Sequence, residues 1–201
     1  MIVAMNIYML LTLVKISPIY FSCIAYDYLL KNDVFVSLAY SRWLKVLCDE
    51  IGHGVIAALS WVVVVNYDFR YFLQIVLAGF FGVVIDVDHF ISAKSWSLMM
   101  AGNLPDRPFL HNSVILVFLI IICIFVFYIK KQQLIDLALI LFVSISSHHL
   151  RDANRRGMWF GHFGSTGVIA PGLLYASLIC FIAIFVAVIR KRTLVETNCF
   201  N

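Results

Sequence analysis

Two stretches of this chain, Asn112 to Ile129 and Gly172 to Ile189, run for 18 residues each without a charged side chain. A helix of about 17–25 mostly apolar residues is what crosses the hydrocarbon core of a bilayer. That core offers no water to backbone N–H and C=O groups, so a spanning segment must close its hydrogen bonds as a helix or within a closed barrel. The runs are continuous, whereas barrel strands alternate between lipid-facing and lumen-facing residues. Composition agrees: 63% of the residues are hydrophobic and the mean hydropathy is +0.96, against about 45–50% apolar content in soluble domains. The expected fold is an all-α integral membrane protein with the bilayer as its surroundings. It is a single polytopic bundle over 1–201 of about six transmembrane helices, at about 7–30, 46–65, 71–91, 111–129, 134–151 and 171–189, with a polar cluster at one membrane face.

Charge and cysteine content exclude other classes. The net charge of +4 comes from cations grouped at helix ends, as in Lys130-Lys131 and Arg190-Lys191-Arg192. There they anchor helices at the membrane surface and form no nucleic-acid-binding face. The five cysteines, Cys23, Cys48, Cys123, Cys180 and Cys199, have no C-x-x-C spacing and indicate neither a zinc ribbon nor a disulfide framework. The first apolar run, Ile7 to Leu30, lacks the cleavage site of a signal peptide and carries Lys15 and Pro18, so a kinked or partly interfacial helix is expected.

The informative residues sit where helices meet the membrane surface. Asp49 and His53 are four apart, as are Arg107 and His111 and also His148 and Asp152, with His149 three before Asp152. Such spacings put side chains on one helical face. Asp86-Val87-Asp88-His89 offers two carboxylates and an imidazole within about one turn. If six helices cross in order, these motifs, Asp27 and all six histidines fall on one membrane face, leaving Asp68, Asp136, Glu196 and basic anchors on the other. An Asp or Arg inside a bilayer helix costs about 2.5–3.5 kcal/mol on insertion scales, so a group of them implies mutual pairing or a bound cation.

Carboxylates and imidazoles without thiolates suit a divalent metal ion, zinc or manganese, and the group is large enough for two ions. The candidate metal ligands are His53, Asp86, Asp88, His89, His111, His148, His149 and Asp152, which together with Asp49 are expected to converge in the folded bundle. Arg107 has a planar fork able to grip a phosphate. Asp49 or one of the histidines would serve as base, and the sequence does not single one out. The hydrolase that results would act on a lipid or lipid-linked phosphate ester at the membrane surface. The competing reading is a non-catalytic protein whose cluster staples the helices, with Arg155, Arg156 and the loop Ser92 to Asp106 as a docking surface. Transport ranks behind both, because transporter sites lie near the bilayer midplane and the middles of the last three helices are apolar.

Through Ile85-Asp86-Val87-Asp88-His89-Phe90, Arg107-Pro108-Phe109-Leu110-His111 and Ser147-His148-His149-Leu150-Arg151-Asp152, the chain resembles the transmembrane protein 267 family of eukaryotic multi-pass membrane proteins, over about Asp27 to Thr166. More distantly it is similar to bacterial inner-membrane proteins described as metal-dependent hydrolases, which carry a T-H pair, D-I-D-H, H-R-x-x-T-H-S and S-H-x-x-x-D in the same order. That likeness implies His53, Asp86, Asp88, His89, His111, His148 and Asp152 as metal ligands. The chain departs from the bacterial pattern with Gly52 before His53, no histidine within Asp106-Arg107-Pro108, and Asn112 in the place of a serine.

Overall fold

The computed structural model describes residues 2–32, 41–169 and 174–199, with side chains over 9–32, 43–169 and 174–195. Its helices are α1 (Ile2–Lys31), α2 (Ser41–Val64), α3 (Phe72–Val84), α4 (Val87–Ala93), α5 (Leu98–Gly102), α6 (Ile115–Ile129), α7 (Gln132–Arg156) and α8 (Leu174–Cys199). Among the described residues, five segments are long and apolar enough to cross a membrane: Met9–Lys31, Trp43–Val64, Phe69–Ala93, Gln132–Arg156 and Leu174–Val195. The protein is a multi-pass membrane protein. The sixth expected run is the shorter α6, whose 15 residues extend about 22 Å at the 1.5 Å rise of a helix. The expected start of the last helix, near Pro171, lies outside the described residues.

Local chemistry explains where helices continue and where they break. Pro18 does not interrupt α1. The carbonyl its missing N–H leaves free, that of Val14, accepts a 2.8 Å hydrogen bond from the Ser17 hydroxyl, and this is how a proline is tolerated in lipid. The expected third helix is realised as two. Between α3 and α4 the chain tightens through Asp86 N–H to Val83 O, Asp88 N–H to Ile85 O and His89 N–H to Asp86 O, each spanning three residues. The expected fourth helix likewise begins late. Ser113 N–H bonds Trp159 O, and Phe109–His111 forms a 3₁₀ turn, which holds the polar segment out of α6. By contrast α7 runs past the expected Arg151 to Arg156, and that extra turn carries Asp152 and Arg155.

α2 packs on α1, α3, α7 and α8. Its contact with α3 is backbone against backbone: a Cβ on Gly82 would lie 2.7 Å from Ala57 Cβ and 2.9 Å from His53 O, and one on Gly79 would lie 3.2 Å from Gly54 O. Small residues permit this approach where lipid-embedded helices gain from packing rather than from expulsion of water. Gly82→Ala is therefore expected to force α2 and α3 apart and to cost ~1–3 kcal/mol. Thermal unfolding of the variant in detergent measures this, and an unchanged melting temperature would refute the close contact.

The membrane face opposite the motifs is not limited to anchors. Arg190, expected as part of a basic surface cluster, is only 4% exposed and pairs with Asp136 through Nε to Oδ1 at 2.9 Å and Nη2 to Oδ2 at 3.0 Å. Asp136 also accepts from Gln74 at 3.0 Å and Gln132 at 2.9 Å, and the guanidinium lies 4.5 Å from the centre of the Tyr71 ring. The carboxylate in the first turns of α7 thus finds its cation on α8.

Candidate metal centre

The break between α3 and α4 is what turns Asp86-Val87-Asp88-His89 inward. Asp88 becomes fully buried. Its Oδ2 accepts the Leu110 N–H at 2.7 Å and faces His111 Nδ1 at 3.3 Å. Its Oδ1 lies 3.2 Å from His89 Nδ1 and 3.3 Å from His111 Nδ1 yet is hydrogen-bonded to neither. Asp86 Oδ1 stands 3.2 Å from His111 Nε2, and its Oδ2 3.7 Å from His148 Nε2. From α7, Asp152 Oδ2 lies 3.5 Å from His111 Nε2, and Oδ1 lies 3.5 Å from His53 Nε2 on α2. His53 and His148 stack with ring centres 4.0 Å apart.

These separations group the donor atoms into three sets that could each hold a metal ion: His53, His148 and Asp152; Asp86, His111 and His148; and Asp88, His89 and His111, all within 4.8 Å of one another in each set. A tetrahedral ion with bonds of about 2.0–2.1 Å spaces its ligand atoms roughly 3.3 Å apart. The close N-to-O and N-to-N pairs, including His111 Nε2 to His148 Nε2 at 3.3 Å, fit that spacing. The tautomer of His148 also fits. Its Nδ1 donates to the Gly82 carbonyl at 2.9 Å, which leaves the Nε2 lone pair facing the cluster, as outer hydrogen bonds do for metal-binding imidazoles. With the unpartnered Asp88 oxygen and a donor set free of thiolates, the residues fit a divalent cation.

Other expected members take different places. His149 spends both nitrogens elsewhere, Nε2 on Leu110 O at 3.1 Å and Nδ1 on the Ser113 hydroxyl at 3.1 Å. It ties α7 to the segment that carries His111 and belongs to none of the three sets. Asp49 pairs with Arg151, and its Oδ2 with Arg155 at 2.8 Å, with His53 Nε2 3.8 Å away. Arg107 donates to the carbonyls of Gly157, at 2.9 Å, and Arg156, and so caps the end of α7. Asp27 is separate, accepting from Asn154 and from Tyr175, each at 2.9 Å. His162 is exposed. Five of the six histidines therefore converge, and one does not.

Sequence reasoning missed Glu50 as a member of the site and gave Arg155 only to a docking surface. Arg155 bridges Asp49 and Asp152 at 2.8 Å to each, and Arg151 is 2% exposed. The signal was present in the spacing: Glu50 is three before His53, and Arg155 three after Asp152. Glu50 lines a cavity of about 150 Å³ with Asp49, His53, Asp86 and Asp152. A smaller cavity of about 20 Å³, beside Arg107 and His111, has room for about one water.

His111 sets the charge balance of the metal-free site. Burial opposes its protonation, but Asp86 and Asp88 outweigh burial, and its pKa is pushed up to about 10. A group whose folded pKa exceeds its unfolded value contributes its stability fully below the unfolded pKa. For His111 that contribution is complete below 6.5 and is lost as the pH rises through about 10. The melting temperature of metal-free protein is expected to fall between about pH 7 and 10, with His111→Gln flattening the slope. An equally steep slope in the variant would assign the titration to another group.

No family model matches the chain, and no solved structure does. It is similar to proteins named transmembrane protein 267: 38% identical to that of Mus musculus over 148 residues, covering 72% of this chain and 67% of the relative. The Bos taurus protein is 38% identical over 156 residues, covering 76% and 71%, and the Xenopus laevis protein 37% over 163 residues, covering 78% and 75%. With identities above one third across most of both lengths, the chain belongs to the transmembrane protein 267 family.

Proposed function

We propose that this protein is a metal-dependent hydrolase of the membrane surface, acting on a lipid or lipid-linked phosphate ester. The observation that carries the reading is the three sets of ligand atoms linked through shared His111 and His148. Charge supports it: five carboxylates, Asp49, Glu50, Asp86, Asp88 and Asp152, meet three guanidinium groups, Arg151, Arg155 and Arg156, in and around the cluster. With neutral imidazoles the excess is negative, and one or two divalent cations remove it. The order of the motifs along the chain, similar to that in bacterial proteins described as metal-dependent hydrolases, agrees with the chemistry.

His53, Asp86, Asp88, His89, His111, His148 and Asp152 would hold the metal. A divalent cation there, zinc or manganese, supplies a lowered pKa for water and a counter-charge for a phosphoryl group. The residues around it supply position. Arg151 and Arg155 hold Asp49, which makes that carboxylate an anchor for His53 and the α2–α7 contact rather than a free base. Arg155, 39% exposed in its side chain, lines the cavity where an anionic group would sit, while Arg107 fixes the end of α7 behind it. His149 holds the His111 segment in place.

The test is turnover of a panel of lipid phosphates by protein loaded with zinc or manganese, beside the same protein after chelation. Release of phosphate that depends on the metal is expected. Loaded protein that hydrolyses none of the panel favours a second reading, in which the cluster staples the bundle and function comes from a partner. One observation speaks for that alternative: Arg151 and Arg155 of α7 already join Asp49 of α2.

A further inference from the structure

The cavity beside the cluster has two walls of opposite character. Asp49, Glu50 and His53 of α2, with Asp152 of α7, form one; Phe90 of α4 and Leu98, Ala101 and Gly102 of α5 form the other, where Val46 of α2 meets it. Its volume of about 150 Å³ is about half the low end of the roughly 300–1,000 Å³ that encloses a whole small-molecule ligand. Only a reacting head and its first few carbons fit inside. The rest of a larger substrate must lie beyond the apolar wall.

The outer side of that wall is apolar and exposed. α5 turns Leu98 and Ala101 inward and Met99 and Met100 outward, the latter 61% and 55% exposed, and Trp96 just before it is 81% exposed. Across the gap, Leu47 and Ile51 on α2 are 55% and 46% exposed, on a helix that spans the membrane from Trp43. Tryptophan at a span's end and apolar side chains on both lips mark the edge of the bilayer. The lip itself is open: a Cβ added to Gly102 meets nothing within 4 Å.

We propose that the gap between α2 and α5 is a lateral portal, through which the hydrocarbon chain of a membrane-resident substrate passes while its anionic head stays at the Asp/His cluster. The fate of that head rests on the hydrolase reading; the passage of the chain does not. The occupant is an amphiphile with a small anionic head, because Arg155 and Arg156 line the cavity beside a ligand set whose carboxylates a divalent cation would neutralise, and the apolar wall carries no charged side chain.

The experiment uses full-length protein, loaded with zinc or manganese, in phosphatidylcholine nanodiscs and a phosphatidic acid probe with a photoreactive diazirine in mid-chain. Mapped crosslinks are expected within residues 43–51 and 96–102. Gly102→Phe, which fills open space rather than displacing neighbours, is expected to lower that labelling about tenfold, and Gly102→Ala to leave it. Val46→Phe, on the opposite lip, serves as a second plug should the first variant misfold. Crosslinks matching those of a phosphatidylcholine probe, or labelling undiminished in both plugged variants, would overturn the portal. Turnover is read on the same samples. Portal labelling without phosphate release would remove the hydrolase reading and leave the portal standing, whereas release with diffuse labelling would do the reverse.

Discussion

Replacing Asp136 with alanine is expected to cost the bundle ~3–5 kcal/mol, the usual consequence of leaving one member of a buried ion pair without its partner. Arg190 would keep its charge at 4% exposure and lose both hydrogen bonds to the carboxylate, and Gln74 and Gln132 would lose their acceptor. Removing both charges should be far milder. Asp136→Leu combined with Arg190→Met is expected to recover most of the loss, since apolar replacement of a whole buried pair is often neutral. Thermal unfolding in one detergent, across the two single variants and the double, reads this directly. Metal content should not change, because Asp136 lies twelve residues before His148 on α7, about 18 Å along the axis. A single variant as stable as the parent would mean that α7 and α8 are not held together by this pair.

That pair also marks the limit of what the sequence reveals. Continuous apolar runs specify membrane helices because backbone groups have no alternative in lipid, and five spans follow from them. The convergence of Asp86, Asp88, His89, His111, His148, His53 and Asp152 was legible for a related reason: ionisable groups spaced for one helix face and gathered at one depth need one another. Partner choice was not legible. Whether Arg190 reaches water or Asp136, and whether Arg107 meets a substrate or the last carbonyls of α7, depends on how helices are rotated against each other, which no local pattern encodes. Breaks were hidden too. Three-residue hydrogen bonds at Asp86 and the 3₁₀ turn Phe109–His111 interrupt stretches whose composition alone would continue a helix.

The second large effect is expected at Asp88. Asp88→Asn should fold and reach the membrane in near-normal amounts, because the amide oxygen still accepts the Leu110 N–H that Asp88 accepts at 2.7 Å. Its other end, however, becomes a neutral donor facing His89 and His111, where a carboxylate oxygen now lies without a hydrogen bond. Loss of an outer-shell partner typically weakens metal binding about 10–100-fold, so loss of a charged ligand should exceed about 100-fold. Turnover of phosphate-ester lipids should vanish with the metal. Asp88→Ala is the contrasting variant. It also orphans the Leu110 N–H, a further cost of about 1–3 kcal/mol, so it should lose stability as well as metal. If Asp88→Asn unfolds as Asp88→Ala does, although it keeps the acceptor for the Leu110 N–H, Asp88 holds the fold by charge and the staple reading gains.

The central claim, that the Asp/His cluster is a metal centre, is tested most directly by elemental analysis of purified protein. Wild type and Asp88→Asn would be exposed to zinc and manganese and freed of loosely held ions. Wild type is expected to retain about one to two ions per chain, the capacity of a one- or two-metal site, and Asp88→Asn close to none. Wild type that retains no more metal than the variant would contradict the account.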